Sequence, residues 1–177
     1  THLFNAMSQF GPRHAGAVGV ALTDERAFAG IIADGHHLGD TALAIAHRMK
    51  GTERLMLVTD AMPPVGDPDA PATFTLFGRT ISRNGNLLTG IDGTLAGSCL
   101  TMAGAVRHMW RCGGASLEEA LMMASLTPAR FLGLDRSIGR IAPGYAADLV
   151  ALDTDLGVMG TVIRGDLHLA GGRATSS

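Results

Sequence analysis

Two apolar runs separated by one amphipathic segment constrain the fold of this chain most. Residues 28–33 (FAGIIA) and 55–58 (LMLV) are continuous apolar stretches, which are typical of strands covered on both faces of a sheet. Between them, Asp40 can cap a helix that continues to about Lys50, and Gly51 can end it. Strand, helix and strand in this order predict a βαβ unit with a parallel sheet, and therefore an α/β protein.

Polar groups follow two of the hydrophobic stretches. Residues 1–7 (THLFNAM) contain His2, a potential metal ligand, and Asn5, a polar anchor, whereas Asp60 comes directly after the run at residues 55–58. An α/β enzyme places its catalytic groups at the carboxyl ends of parallel strands. The pattern therefore predicts an enzyme with a site at this edge of the sheet.

Composition narrows the class of protein further. The 177 residues suit one domain, or one domain with a small appendage. A net charge of −2 with both signs interspersed argues against a nucleic-acid-binding protein, and no apolar run reaches the roughly 18 residues of a membrane span. Two cysteines, Cys99 and Cys112, do not make a disulfide framework, which predicts a cytoplasmic protein.

The remaining chain divides into short elements. Residues 17–22 (AVGVAL) are expected to form a buried strand, and residues 61–71 hold four of the seven prolines and are expected to form a loop. The dipeptide Asn84-Gly85 lies between two β-type runs and predicts a type I′ hairpin within an antiparallel insertion. Residues 98–111 are expected to form a helix, with Ala103, Val106 and Trp110 on one face.

The C-terminal third combines helices and short β-type runs. Residues 116–119 (SLEE) form a capping box that opens a helix, and Thr127-Pro128 is expected to start another with proline at its first position. From about Asp135 onward, glycines separate short β-type runs, which predicts an antiparallel β appendage. Residues 171–177 are expected to form a frayed tail.

Four ordered motifs resemble those of the N-acetylglucosamine-6-phosphate deacetylases, a family of the amidohydrolase superfamily. The motifs are residues 1–7 (THLFNAM), 30–37 (GIIADGHH), 57–61 (LVTDA) and 93–98 (GTLAGS). Residues 139–150 (GRIAPGYAADLV) also resemble the return segment of the superfamily's β-sandwich. The resemblance covers essentially the whole chain.

The resemblance implies a (β/α)₈ TIM-type barrel with a small β-sandwich. Residues 1–134 would supply the last strands and helices of the barrel, and residues 135–177 the C-terminal strands of the sandwich. The family reaction converts N-acetylglucosamine 6-phosphate to glucosamine 6-phosphate and acetate. This small amino-sugar phosphate would be the partner molecule, and the family commonly forms homodimers.

The resemblance also implies that the chain is the later part of a larger enzyme. The family's metal is held by a Glu and a His that would lie upstream of Thr1, and His2 resembles a further ligand. A neutral imidazole suits Zn²⁺, so the expected cofactor is a divalent metal, with zinc the expected ion. Without the upstream ligands, the chain is expected to be inactive on its own.

Asp60 resembles the family's catalytic carboxylate, which would move protons between water and the leaving amine. Arg13 resembles a phosphate-binding arginine, and a guanidinium fork suits a phosphate monoester. The other residues at substrate-contacting positions are Asn5, Ala6, Asp34, Gly35, His36, His37, Leu95, Ala96 and Gly97. His36 stands where an apolar residue is expected, and because neighbouring side chains in a strand point in opposite directions, one of the two histidines is expected to be structural.

Simpler interpretations exist for each of these residues. Asp60 can cap the loop after a strand, Arg13 can be a solvated loop charge, and His2 can be a terminal side chain with no ligand. His47, His108 and His168 have no motif context, so surface or core roles are expected for them. For the whole chain, the alternatives are a catalytically silent fragment or interaction module, and a dihydroorotase-like cyclic amidase with two metals.

Overall fold

The computed structural model describes residues 1–67 and 69–170. The helices of this described part are α1 (Gly16–Thr23), α2 (Asp40–Lys50), α3 (Met102–Arg111), α4 (Leu117–Ala124) and α5 (Leu126–Phe131). Its strands are β1 (Ala29–Ile31), β2 (Leu55–Leu57), β3 (Thr73–Leu76), β4 (Arg79–Asn84), β5 (Leu87–Gly90), β6 (Leu95–Ser98), β7 (Leu149–Leu152), β8 (Val158–Ile163) and β9 (Asp166–Leu169). The predicted tail at residues 171–177 lies outside the described residues.

The predicted βαβ unit is confirmed. Strands β1 and β2 pair in parallel, with Ala29 opposite Leu55 and Ile31 opposite Leu57, and α2 connects them. The helix buries Leu43, Ala46 and Lys50 on one side, as an amphipathic spacing of three and four residues requires. The protein is therefore an α/β protein, as the sequence predicted.

The N-terminal residues lie along the other side of β1. The backbone N–H of Leu3 donates to the carbonyl of Gly30 at 2.8 Å, whereas the N–H of Val58 donates to the carbonyl of Ile31 at 3.0 Å. Successive carbonyls of a strand point to opposite sides, so β1 lies between residues 1–3 and β2. This arrangement places the segments that carry three of the motifs, residues 1–7, 30–37 and 57–61, side by side in the parallel layer.

One hydrophobic core supports this parallel layer. Helices α3, α4 and α5 all contact β2, and the core includes the fully buried Ile31, Leu43, Leu55, Met109 and Met123. The capping box at the start of α4 is confirmed, since Ser116 and Glu119 exchange side-chain and backbone hydrogen bonds of 2.7 and 3.2 Å. Reciprocal capping pairs two backbone donors that the helix itself leaves free.

The two predicted antiparallel regions are both present. Strands β3 to β6 form one sheet in sequence order, and β7 to β9 form another. In the first sheet Asn84 pairs with Leu87, so Gly85 and Asn86 form the connection. A type I′ turn needs positive φ at both central residues, and of these two only Gly85 has it, at 60°. The hairpin prediction is confirmed, but the predicted turn type was wrong.

The strand prediction for residues 17–22 was wrong, because these residues form α1. A short apolar run cannot by itself distinguish a strand from a helix. The deciding contacts come from Ser8, whose Oγ accepts the N–H of Ala17 at 2.8 Å while its carbonyl accepts that of Val18 at 3.3 Å. These bonds satisfy the donors of the first helical turn from nine residues away.

The predicted helix at residues 98–111 begins four residues later, at Met102. Ser98 instead ends strand β6, and Thr101 caps the helix by accepting the N–H of Gly104 at 3.1 Å. The buried face of α3 is Ala105, Val106 and Met109, which differs from the predicted face except at Val106.

The predicted start of the next helix was two residues late. Helix α5 begins at Leu126, and Pro128 is its third residue rather than its first. Proline is tolerated there because the N–H groups of the first turn have no partner within the helix. In the part of the chain that the structure describes, no helix is long and apolar enough to cross a bilayer.

Candidate active site

His2 is oriented by the turn that follows it. Its ring Nδ1 lies 2.9 Å from the backbone carbonyl of Asn5, and a carbonyl can only accept a hydrogen bond, so Nδ1 carries the proton. In the neutral ring Nε2 then keeps a free lone pair, which is the arrangement usual for metal-binding histidines. Left-handed backbone at His2, Phe4 and Ala6, with φ of 40°, 75° and 52°, tightens this turn.

Asp34 and His37 form a buried pair in the loop after β1. The Oδ2 of Asp34 lies 2.7 Å from Nδ1 of His37, and the two side chains are only 2% and 4% exposed. The other carboxylate oxygen accepts the backbone N–H groups of His36 and His37, each at 2.8 Å. Asp34 therefore fixes both the loop and the ring of His37, and leaves Nε2 of that ring available for another partner.

The pair shifts the pKa of both groups toward the charged forms. The hydrogen bond to Asp34 raises the pKa of His37 against the effect of burial, and the negative charges of Asp34 and Asp60 raise it further. Burial alone would raise the pKa of Asp34, but hydrogen bonds from His37 and His36 outweigh it and lower the pKa. The contribution of Asp60 shows that His37 lies within electrostatic range of that carboxylate.

The two adjacent histidines have different environments. His36 is exposed, whereas the His37 side chain is buried against Asp34. Residues 34–38 are bends rather than a strand, so the strand alternation behind the prediction does not apply here. The hydrogen bonds of Asp34 separate the two side chains instead.

Asp60 follows β2 with an unusual backbone conformation. Its φ is 50°, a left-handed value that non-glycine residues adopt infrequently and that is common at functional sites. The residue is exposed. The carbonyl of Asp60 accepts the N–H of Ser98 at 3.0 Å, and the carbonyl of Ser98 accepts the N–H of Met62 at 2.9 Å. These two bonds hold the backbone on both sides of the carboxylate-bearing residue.

The side chain of Ser98 adds a third link to the same segment. Its buried Oγ donates to the carbonyl of Thr59 at 2.5 Å and accepts the N–H of Leu100 at 3.1 Å. The preceding residue, Gly97, has a φ of 82°, and a Cβ there would lie 2.6 Å from Cγ of Met62 and 3.0 Å from the Asp60 carbonyl. Only glycine allows this close approach without displacement.

The remaining predicted residues occupy two surfaces. Arg13 is exposed and lies in a turn closed by the N–H of Gly11 and the carbonyl of His14 at 2.9 Å. Leu95, Ala96 and Gly97 lie in strand β6 rather than in a loop, because β6 pairs with β5. Leu95 and Ala96 also line an open cleft of about 800 Å³ in the antiparallel sheet.

Sequence reasoning missed the role of Ser98 and the position of His108. Ser98 follows a predicted glycine-containing loop, and nothing in the sequence around it indicates that it hydrogen-bonds to the backbone of Thr59, Asp60 and Met62. His108 lies on α3, and its Cε1 would be 2.9 Å from a Cβ at Gly35, so the helix supports the loop that carries Asp34. The spacing of His108 and Cys112, four residues apart on one helix face, was the available signal.

Comparison with known proteins identifies the family of this chain. The profile of the amidohydrolase family matches residues 1–170. The chain belongs to the amidohydrolase family. The match covers nearly the whole chain, including both the parallel strands and the two antiparallel sheets.

Two deacetylases, named for different N-acetylated amino-sugar phosphates, are similar to this chain. It is 42% identical over 166 residues to the N-acetylgalactosamine-6-phosphate deacetylase of Escherichia coli O157:H7, covering 94% of this chain and 43% of that enzyme. It is also 42% identical over 174 residues to the human N-acetylglucosamine-6-phosphate deacetylase, covering 94% of this chain and 42% of the human enzyme. The chain thus spans less than half the length of these relatives.

A solved amidohydrolase structure shares the fold. The N-acetyl-D-glucosamine-6-phosphate deacetylase of Mycobacterium smegmatis, an aspartate-to-alanine mutant in complex with N-acetyl-D-glucosamine 6-phosphate, superimposes with a TM-score of 0.86 at 34% identity. The match covers 96% of this chain and 45% of that structure.

Proposed function

We propose that this chain carries the catalytic carboxylate and substrate-binding residues of an N-acetylglucosamine-6-phosphate deacetylase. The reaction would hydrolyse the acetamido group of the sugar phosphate to glucosamine 6-phosphate and acetate. The observation that carries the proposal is that the Asp34–His37 pair follows β1, Asp60 follows the neighbouring parallel strand β2, and residues 1–3, which include His2, hydrogen-bond to β1 on its other side. The relatives named above support the substrate class.

His2 is proposed as one ligand of a divalent metal, with zinc as the proposed ion. The hydrogen bond from Nδ1 to Asn5 supports this role, because it leaves Nε2 free to bind. The remaining ligands, a Glu and a His in the resemblance, would come from the part of the longer relatives that precedes the matched region. When bound, the metal would lower the pKa of water toward about 7 and polarise the acetyl carbonyl.

Asp60 is proposed as the general base and then the general acid. Its carboxylate would accept a proton from the attacking water and return it to the nitrogen of the leaving amine, which otherwise departs as an unstable anion. The hydrogen bonds from Ser98 fix the backbone of this residue before the substrate binds. Because Asp60 is exposed, its carboxylate can reach a substrate at the edge of the strands.

His37 and Arg13 are proposed to hold the anionic substrate. A raised pKa keeps more of His37 protonated near neutral pH, so Nε2–H can donate to a sugar oxygen or to phosphate. The Arg13 guanidinium would bind the 6-phosphate. Asn5, Ala6, Asp34, Gly35, His36, Leu95, Ala96 and Gly97 are proposed to complete the substrate contacts.

The architecture implied by the resemblance remains a proposal as well. We assign residues 1–134 to the last strands and helices of a (β/α)₈ barrel, and residues 135–177 to a β-sandwich segment. The intact protein is proposed to be a homodimer with a small-molecule substrate. A reducing cytoplasm is the proposed compartment, because Cys99 and Cys112 are both free.

A second substrate is supported by the identities. The chain is 42% identical both to an N-acetylgalactosamine-6-phosphate deacetylase and to an N-acetylglucosamine-6-phosphate deacetylase. The two sugars differ only in the configuration at C4, so the same acetamido chemistry serves both. Measuring kcat/KM on the two phosphates assigns the preferred epimer.

The catalytic role of Asp60 is tested by Asp60→Asn in the intact protein. The amide keeps the shape of the side chain but cannot accept a proton, so kcat for N-acetylglucosamine 6-phosphate should fall about 10²- to 10⁴-fold. Asp166→Asn, an exposed carboxylate in β9, is the matched control and should keep normal kcat. Near-normal turnover in Asp60→Asn, with the fold intact by circular dichroism, would exclude the proposed role.

A further inference from the structure

Three potential metal ligands that the proposed function does not use lie close together where α2 begins and α3 ends. Asp40 begins α2, His108 lies in the last turn of α3, and Cys112 follows that helix directly. Their ligand atoms all lie within 4.8 Å of one another. Nε2 of His108 is 3.0 Å from Oδ1 of Asp40, so two of the three ligand atoms are already in hydrogen-bond contact.

The geometry of α3 explains why the ligand atoms of His108 and Cys112 lie close together. His108 and Cys112 are four residues apart, a spacing that places side chains on the same helix face about one turn apart. The backbone N–H of Cys112 donates to the carbonyl of His108 at 2.8 Å, which fixes the spacing of the two residues. Asp40 then approaches this pair from the neighbouring helix.

We propose that Asp40, His108 and Cys112 bind a divalent transition-metal ion, with zinc as the favoured ion, at a site separate from His2. Thiolate, imidazole and carboxylate are all ligands that zinc uses, at about 2.0–2.3 Å in tetrahedral geometry. Tetrahedral ligands at such distances are roughly 3.3–3.7 Å apart. The present spacing reaches this range with small rotations of the Asp40 and Cys112 side chains, both of which are exposed.

The charges of the three ligands match a divalent ion. Cys112 would bind as thiolate, His108 as neutral imidazole through Nε2, and Asp40 as carboxylate, so the ligands carry two negative charges in total. Binding would release the thiol proton to solvent, and the proton of the neutral His108 ring would move from Nε2 to Nδ1 by exchange with solvent, so that the ring stays neutral. Water would complete the fourth position, since the described residues bring three ligands together here.

The position of the site gives the ion a structural role. It would join the start of α2 to the end of α3, and it lies against the loop at residues 34–37. Gly35 of that loop is so close to the His108 ring that a Cβ would lie 2.9 Å from Cε1. Fixing His108 would therefore limit the movement of the loop that holds His37.

Titration of the metal-free protein with Co²⁺ tests this proposal through a thiolate signal. Cobalt bound to a cysteine thiolate gives a sulfur-to-metal charge-transfer band, so the band reports on cysteine ligation alone. We expect one thiolate-bound ion per chain, displaced by Zn²⁺. Cys112→Ser should abolish the band, and Asp40→Asn or His108→Gln should weaken binding about tenfold or more.

Three control variants separate this site from others. Cys99→Ala removes the other thiol, and His47→Gln removes a histidine near Glu119 at 3.8 Å; both should keep the band. His2→Ala should keep it too, so the result does not depend on the proposed function. No band in the wild type, a band that persists in Cys112→Ser, or equal affinity in Asp40→Asn and His108→Gln would overturn the proposal.

Discussion

Ser98 holds the backbone that presents Asp60, through contacts made by its Oγ, N–H and carbonyl. Because Asp60 adopts a left-handed φ of 50°, its position depends on surrounding bonds more than on local preference. The carboxylate is thus placed by a residue that is 38 positions later in the chain and belongs to an antiparallel sheet.

Ser98→Ala tests this positioning. It should leave the Thr59 carbonyl and the Leu100 N–H without their side-chain partner, and reduce kcat about 10- to 100-fold by misplacing Asp60. KM should change little, because Ser98 is buried and does not reach the substrate surface. Ser82→Ala, an exposed serine in β4, is the control. A loss of stability with unchanged kcat would show that Ser98 is only structural.

The Asp34–His37 pair predicts a pH-dependent contribution to stability. His37 has a raised pKa, so its contribution is full below its unfolded value of about 6.5 and is lost as pH rises through the folded pKa. Asp34 has a lowered pKa, so its contribution is present above its unfolded value of about 3.8 and is lost as pH falls through the folded pKa. The pair is therefore most stabilising from about pH 4 to 6.5.

Urea unfolding of the wild type and His37→Asn checks this sign. The free energy of unfolding lost through the substitution should be larger at pH 5.5 than at pH 8.5. A loss that is equal at the two pH values would mean that packing, and not the charge of His37, determines its contribution. His36→Asn, at the exposed neighbouring position, should show a small difference at either pH.

Elements defined by local signals were predicted correctly, and elements defined by distant contacts were not. The Ser116 capping box and the α2 boundary at Gly51 follow from residues within one helical turn. Residues 17–22 became a helix because Ser8 caps it from outside the element, and Ser98 left the predicted α3 because it joins β6. Neither contact lies within the periodic pattern of the element that it defines.

Ser8→Ala tests the remote cap of α1. Losing the bond to the Ala17 N–H should reduce the free energy of unfolding by about 0.5–2 kcal/mol, the range usual for N-cap serines. Urea denaturation measures this loss. Ser137→Ala, at another exposed serine whose Oγ donates to the carbonyl of Leu134 three residues earlier, should cost less. An unchanged stability in Ser8→Ala would mean that the apolar packing of α1 fixes the helix without its cap.

At the scale of the whole molecule, the α/β class and the order of β1, α2 and β2 could be predicted, because the apolar pattern and the length of each segment indicate whether it is a strand or a helix. The motifs also predict that His2, His37 and Asp60 belong to one site, and this assignment remains a proposal. What the sequence could not give is how an antiparallel insertion, β3 to β6, returns to hold the Asp60 segment through an isolated bridge between Ala61 and Ser98.

Arg13 is the residue proposed to bind the 6-phosphate, and its replacement tests that role. A charge-assisted hydrogen bond contributes about 1.5–3 kcal/mol, so Arg13→Ala should reduce kcat/KM for N-acetylglucosamine 6-phosphate roughly tenfold to a hundredfold. Turnover of unphosphorylated N-acetylglucosamine should barely change. Arg136→Ala, an exposed arginine at a distant position in the sequence, is the control. An equal loss on both sugars would assign Arg13 to the fold or the metal site.

The central claim is tested most directly by acetate release from the intact protein. Assays with N-acetylglucosamine 6-phosphate, its C4 epimer and unphosphorylated N-acetylglucosamine compare kcat/KM for the three sugars in one experiment. The account predicts equimolar acetate and amino-sugar phosphate from a 6-phosphate, at a kcat/KM at least about tenfold above that of the free sugar. No acetate from either 6-phosphate by the metal-loaded intact protein would contradict the proposed deacetylase.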